Sequence, residues 1–271
     1  MAEPSLLSEL SDGVLVLTLN RPERHNAWTS EMEGRYFDAL EAASSDSQVR
    51  AIVLTGSGDT FCPGLDSQTL SGVAAGSMQT NPELRRPQTV PASVPKPIIA
   101  AINGACAGIG LIQAMLCDVR FAAAGAKFTT AFTRRGIMAE HGSAWLLPHL
   151  VGLGNAMDMM LSARVVRAEE ALEMGLVNRV TDPAQVLSAA IGYARDIAQN
   201  CSPLAVAVTK LQLQRAMTQD LETTRREALR LWGELLKSHP DFKEGVGSFV
   251  ERRPPDFAPL DASLVQSSGL L

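Results

Sequence analysis

The chain has no run of about 18 apolar residues free of charge or punctuation, so a membrane-spanning helix is not expected. No basic segment leads into an apolar one near the start, where Glu3 and Glu9 stand instead; a secretory signal is not expected, and the protein reads as cytoplasmic with no membrane partner. Paired cysteines are missing as well. Cys62, Cys106, Cys117 and Cys201 lie far apart without CxxC spacing or histidines in register, which excludes zinc and disulfide scaffolds and leaves them as small apolar core residues, with no metal site expected. Positive charge is not in excess: 24 Lys+Arg stand against 29 Asp+Glu, a formal net charge of −5, and the basic residues are scattered, which argues against a nucleic-acid surface. What is present is average for a globular protein, 46% hydrophobic and 20% charged over 271 residues. That length is one to two domains, and a fold of this size buries roughly 70–75% of the surface of its unfolded chain.

Short β-branched runs at 14–19, 51–55 and 98–102 read as strands, and between the first two, residues 31–43 carry Met32, Tyr36, Phe37 and Leu40 at helical spacing. Strands at 118–122 and 176–180 are expected behind helical stretches at 110–116 and 168–174. This alternation is the pattern of an α/β fold. Beyond Pro183 the character changes, and helices are expected over 186–199, 203–217, 221–237 and 242–252, the second opened by the Ser202-Pro203 cap. The chain therefore divides into a core of residues 1–200 and a helical region of 201–271, which either covers the sheet or joins subunits. Residues 66–95, rich in Ser, Gly and Thr and bracketed by prolines, are expected as a long loop, either the flexible wall of a site or a surface insertion.

NGACAGIG, residues 103–110, invites a nucleotide reading, but its glycines at 104, 108 and 110 are not GxGxxG and no Lys-Ser/Thr follows. What remains is a glycine-rich turn opening a helix, where unpaired backbone N–H groups converge. A second turn, FCPGLD at 61–66, follows the strand at 51–55. Singly, each is a strand-to-helix corner. Together, two N–H donors on neighbouring strand ends are the arrangement that stabilises an enolate or tetrahedral oxyanion on one carbonyl oxygen.

The ordered set LTLNRPERHNAW (17–28), TGSGDTFCPGLD (55–66), KPIIAAINGACAGIG (96–110), CDVRFAA (117–123), AxxxGLVNRV (171–180) and SPLAVAVTK (202–210) resembles the crotonase, or enoyl-CoA hydratase/isomerase, superfamily over nearly the whole chain. The resemblance implies a spiral of ββα units with a C-terminal helical trimerisation region, and a homotrimer or dimer of trimers. It implies coenzyme A, not as a permanently bound cofactor but as part of an acyl-CoA thioester substrate. The oxyanion donors become the backbone N–H groups of Leu65 and Ile109. Arg24, His25 and Ala27 fall beside the pantetheine and phosphates, with Cys62, Gly64, Asp66 and Gly108 around the same ligand, and Phe249 and Arg252 reach the nucleotide from a neighbouring subunit. Arg24 and His25 read equally as solvated turn residues.

Water-adding members carry two glutamates, an orienting base and a proton donor. Here those positions hold Ile112 and Phe132. A different carboxylate is available: Glu140 stands four residues after Gly136, where the resemblance puts the catalytic glutamate of peroxisomal-type enoyl-CoA isomerases. One base facing an oxyanion hole suffices for a 1,3-proton shift. Ile112, Phe132, Met138 and Trp145 are the expected apolar walls that would raise such a carboxyl toward neutrality. Glu140 also reads as a cap of the helix starting near Gly142, and His141 as an exposed or core-satisfied histidine. The alternatives are a hydratase in which Glu140 activates water, thioester hydrolysis or dehalogenation, and a silent acyl-CoA-binding or scaffold protein.

Overall fold

A computed structural model describes residues 3–77 and 85–269. Strands β1 (Leu6–Ser11) and β2 (Val14–Leu19) form a hairpin that leads into α1 (Ser30–Ser45). Three repeats of one device follow, in which a long strand joins one sheet and the next short strand turns off into a second. They are β3 (Ala51–Gly56) with β4 (Thr60–Cys62) before α2 (Ser67–Ala74), and, after α3 (Val90–Ser93), β5 (Ile98–Ile102) with β6 (Ala105–Ala107) before α4 (Ile109–Met115). The third is β7 (Val119–Ala123) with β8 (Lys127–Thr129) before α5 (Ser143–Ser162). β9 (Val166–Arg167), α6 (Ala168–Glu173) and β10 (Arg179–Thr181) complete the two sheets, ordered β1-β2-β3-β5-β7-β10 and β4-β6-β8-β9. Apart from the antiparallel β1–β2 and β8–β9 pairs, neighbours are parallel, so the chain winds as a spiral of ββα turns.

The larger sheet is apolar on both faces, as a parallel sheet between two layers must be. Ile52, Leu54, Ile98 and Ala100 point into the main core, while Val53, Ile99 and Ala101 meet Ala190, Ala194 and Ala198 of α7 (Val186–Asn200) on the reverse face. These alanines repeat at i, i+4, which lets the helix backbone approach the sheet. The tail, α8 (Pro203–Ala216), α9 (Leu221–Leu231), α10 (Pro240–Glu251) and α11 (Ala262–Ser267), has a small core of its own around Leu204, Val208, Leu211 and Leu231. Lys210 ties α8 to the sheet: its Nζ donates to Asp118 Oδ2 at 2.8 Å and to the Lys96 carbonyl at 2.9 Å. These motif lysines and aspartates thus serve packing.

Several expectations change. β1 is not visible in the sequence because five of its six residues are exposed and only Leu6 reaches the core. Residues 66–95 are not one long loop, since Asp66 caps α2 and the short α3 precedes β5; residues 78–84, with Pro82, lie outside the described part. The expected strand at 176–180 shortens to β10, because Leu176 and Val177 are buried as a turn. The helix at 221–237 ends at Leu231 and passes into a π-helical turn, Trp232–Leu236. Cys62, Cys106 and Cys117 are core residues, but Cys201 is exposed at the end of α7, where the chain turns into α8. Among the described residues no helix is long and apolar enough to cross a membrane.

Candidate active site

The two glycine turns meet. Gly64 and Gly108 both have left-handed φ, +120° and +52°, and a Cβ on Gly108 would lie 3.7 Å from the Gly64 Cα. The spacing is ordinary van der Waals contact, and it is the left-handed backbone that favours glycine at both positions. Around the first turn, the Trp28 N–H donates to the Gly64 carbonyl at 2.8 Å and the Asp66 N–H to the Trp28 carbonyl at 3.0 Å. A parallel bridge of this kind uses the carbonyl before Leu65 and the amide after it, so the Leu65 N–H points away from Trp28. Ile109 is the first residue of α4, and its N–H has no carbonyl four residues back within the helix. Neither amide has a partner among the described residues, and both residues line one cavity of about 650 Å³, its open mouth included.

Ile112, Phe132 and Glu140 line the same cavity. Ile112 and Phe132 are buried, so this part of the wall is hydrocarbon. Glu140 is half-buried, and its carboxylate makes no hydrogen bond or ion pair among the described residues. It does not cap α5, whose N-cap is Gly142 with no side-chain hydrogen bond. His141 and Gly142, both left-handed, turn the chain sharply before α5 begins. Burial holds the His141 imidazole below its usual range, against the Glu140 charge that would raise it.

Met138 and Trp145 are not walls of the cavity. In the irregular stretch after Gly136, Ile137 and Glu140 face inward and Met138 outward, 79% exposed; Trp145 lies on the outer side of α5, stacked on His149 with ring centroids 4.3 Å apart.

Among the expected coenzyme contacts, Arg24 and His25 are exposed and Ala27 is half-buried. The hub of that turn is Asn26, which the sequence reading passed over. Fully buried and left-handed, it accepts from the Arg21 N–H at 2.9 Å and donates to the Thr60 and Ser57 carbonyls at 2.6 and 2.8 Å. A polar pair, His25-Asn26, in left-handed backbone was the available signal. Asp66 is committed: the Gln68 N–H and then the Arg21 guanidinium hold its carboxyl below the usual range. Cys62 cannot touch a ligand through its thiol, which is fully buried and pushed up to about 12 by desolvation. It matters by packing, because Gly110 rides directly on its carbonyl and sulfur. Phe249 and Arg252 sit exposed at the end of α10 and do not line the cavity of their own chain.

A second carboxylate in the cavity was missed. Glu33 lies on the buried face of α1, three and four residues before Tyr36 and Phe37, and an acid at that spacing was the signal. Its oxygens accept from Arg85 Nη2 at 2.6 and 2.7 Å, from Gln88 Nε2 at 2.6 Å and from Trp28 Nε1 at 3.1 Å. Burial pushes this carboxyl up, but the bonds from Arg85, Trp28 and Gln88 outweigh it and the group is held below the usual range. It is a fixed anion, not a proton carrier.

Residues 9–259 match the sequence profile of the enoyl-CoA hydratase/isomerase family. The chain belongs to that family. It is 38% identical to a probable enoyl-CoA hydratase of Rhodobacter capsulatus, covering 95% of this chain and 99% of that protein. It is 33% identical to a 1,2-epoxyphenylacetyl-CoA isomerase of Escherichia coli over 93% of this chain and 97% of that one. Among solved structures, a probable enoyl-CoA hydratase/isomerase from Mycobacterium abscessus superposes with a TM-score of 0.86 at 32% identity, covering 94% and 99% of the two chains. A putative enoyl-CoA hydratase from Streptomyces coelicolor does so with 0.86 at 34% identity, covering 93% and 94%. The protein is thus an enzyme of the crotonase type with the corresponding α/β spiral fold, and the family implies CoA thioester substrates.

Proposed function

We propose that this enzyme moves a double bond along an acyl-CoA thioester, with Glu140 as the single acid/base. One observation carries the reading. Of the two carboxylates lining the cavity among the described residues, Glu33 is locked to Arg85, and Glu140 alone is uncommitted. The thioester oxygen accepts the Leu65 and Ile109 N–H groups. Glu140 then removes a proton from C2 of a 3-enoyl thioester, the enolate charge rests on the oxygen held by the two amides, and the same carboxyl returns a proton at C4. No water enters the balance, which suits the apolar wall of Ile112 and Phe132. The spacing of Glu140 from Gly136, like that of peroxisomal-type isomerases, agrees with this role.

The test is to incubate the enzyme with a 3-enoyl-CoA in D₂O. The expected product is the 2-enoyl-CoA, carrying deuterium at C4 only to the extent that the protonated carboxyl exchanges with solvent before returning its proton. A 3-hydroxyacyl product formed directly from 2-enoyl-CoA would replace isomerisation by hydration with Glu140 activating water, and binding without turnover would leave an acyl-CoA-binding scaffold.

In the same reading Arg24, His25, Ala27 and the backbone around Gly64, Asp66 and Gly108 flank the coenzyme. The helical region 201–271 assembles the chain into a homotrimer or dimer of trimers, so that Phe249 and Arg252 of one copy approach the nucleotide of the next. Exposed Leu213, Leu221, Leu229, Phe249 and Val250 on those helices supply the apolar surface for it. Light scattering at micromolar concentration should return three or six chain masses, and a monomer would remove the assembly.

A further inference from the structure

The wall of the cavity made by α1 and residues 85–88 is polar, although an acyl chain needs only hydrocarbon. Arg85 lines the cavity with its side chain 37% exposed, and its Nε and Nη2 are spent on Glu33, whose side chain is 9% exposed. The Arg85 Nη1 amino group has no partner among the described residues. Gln88, buried at 6%, is spent at both ends: its Nε2 donates to Glu33 and its Oε1 accepts from Gln113 Nε2 at 2.9 Å. The platform under Arg85 is therefore fixed, and the group it offers to the cavity is a pair of N–H donors. Because the Glu33 and Arg85 charges cancel, the wall calls for an acceptor and not for a counter-ion.

We infer that this wall is a hydrogen-bonding subsite for a neutral oxygen on the acyl group, a hydroxyl or keto oxygen received by Arg85 on its Glu33–Gln88 platform. The inference rests on the reading of the cavity as the acyl-thioester site. An all-hydrocarbon acyl group would strip water from the Arg85 N–H donors and return nothing, whereas an oxygen replaces that water. Sites built to hydrogen-bond a substrate oxygen reject the analogue that lacks it far more strongly than apolar pockets reject an extra methylene. The segment carrying Arg85 has a separate anchor: Arg86 donates to Asp38 at 2.7 Å and to the Gly34 carbonyl at 3.0 Å, with its guanidinium 5.5 Å from the Phe37 ring centroid. Removing the Arg85 head group thus need not release the wall.

The experiment is calorimetric titration of saturated acyl-CoA thioesters from C4 to C10 against the same chains bearing a terminal hydroxyl. The intact enzyme should bind the hydroxylated member at least about tenfold more tightly at one or more chain lengths. Arg85→Leu should erase that ratio. Equal or tighter binding of the hydrocarbon at every length overturns the inference with no variant needing to fold, as does a preference that survives Arg85→Leu. Hydroxyl-selective binding of the saturated thioesters with no turnover of the 3-enoyl-CoA would overturn the catalytic reading and leave this one standing. Turnover without selectivity would do the reverse, and no binding of any thioester overturns both.

Discussion

The turns at Gly64 and Gly108 and the stretch from Phe132 to Gly142 border the same cavity, yet they are made differently. The glycine turns present backbone. Their donors are set by strand ends, by the Trp28 bridge and by the first turn of α4, so the side chains of Leu65 and Ile109 are nearly irrelevant to the position of the N–H groups. The second region presents side chains from irregular backbone, with Gly136, His141 and Gly142 all left-handed. In the proposed reading one wall is a fixed electrostatic device that suits any thioester, and the other is where acid/base groups can be exchanged without disturbing the fold.

That contrast can be broken most decisively at position 140. Glu140→Gln should leave acyl-CoA binding within a few-fold and lower turnover by roughly 10²–10⁴, the effect of losing a general base; single-turnover kinetics with equal rates in variant and parent would end the proposed role. Next comes the backbone wall. Gly108→Val forces a β-branched residue into a left-handed conformation and shifts the Ile109 amide, and it should cost about 10²–10³ in turnover, as for one lost oxyanion donor. A variant that is folded by circular dichroism and keeps its rate would show that the donors lie elsewhere.

The smallest effect is expected beside Glu140. His141 is held below the ordinary histidine value of about 6.5 by burial, so its unfolded form takes up a proton first as pH falls. The stability tied to the neutral imidazole is present above about pH 6.5 and is lost on acidification through the lower folded value. Thermal melts at pH 7.5 and 5.5 should show His141→Gln losing less on acidification than the parent, with little difference at pH 7.5. An identical loss in both proteins would show that this imidazole does not sense the cavity.

Five strands of the larger sheet, the helical tail and the two glycine turns were legible because each rests on local pattern: β-branched runs, helical spacing, a Ser-Pro cap, glycine where the chain must reverse. β1 was not, since only Leu6 of its six residues is buried, and the two- and three-residue strands β4, β6, β8 and β9 are too short to show a period. Residues 66–95 hid two short helices because Asp66 supplies a cap whose partner, the Gln68 amide, is visible only in three dimensions. At the site, Ile112 and Phe132 were legible as apolar walls and do line the cavity, but Met138 and Trp145 were given an inward direction that the left-handed turns at 136 and 141–142 deny them. Glu33 escaped because its partner Arg85 lies 52 residues away in the sequence and only the fold brings the two together.

By itself the sequence determined the alternation of strands and helices and the two glycine turns that bring two amides together, since each depends on residues a few positions apart. Tertiary structure alone decided which carboxylate is bound and which is free. An acid's role depends on the charges and donors that long-range folding sets beside it, and no local pattern encodes that Arg85 meets Glu33 while Glu140 has no hydrogen bond or ion pair among the described residues.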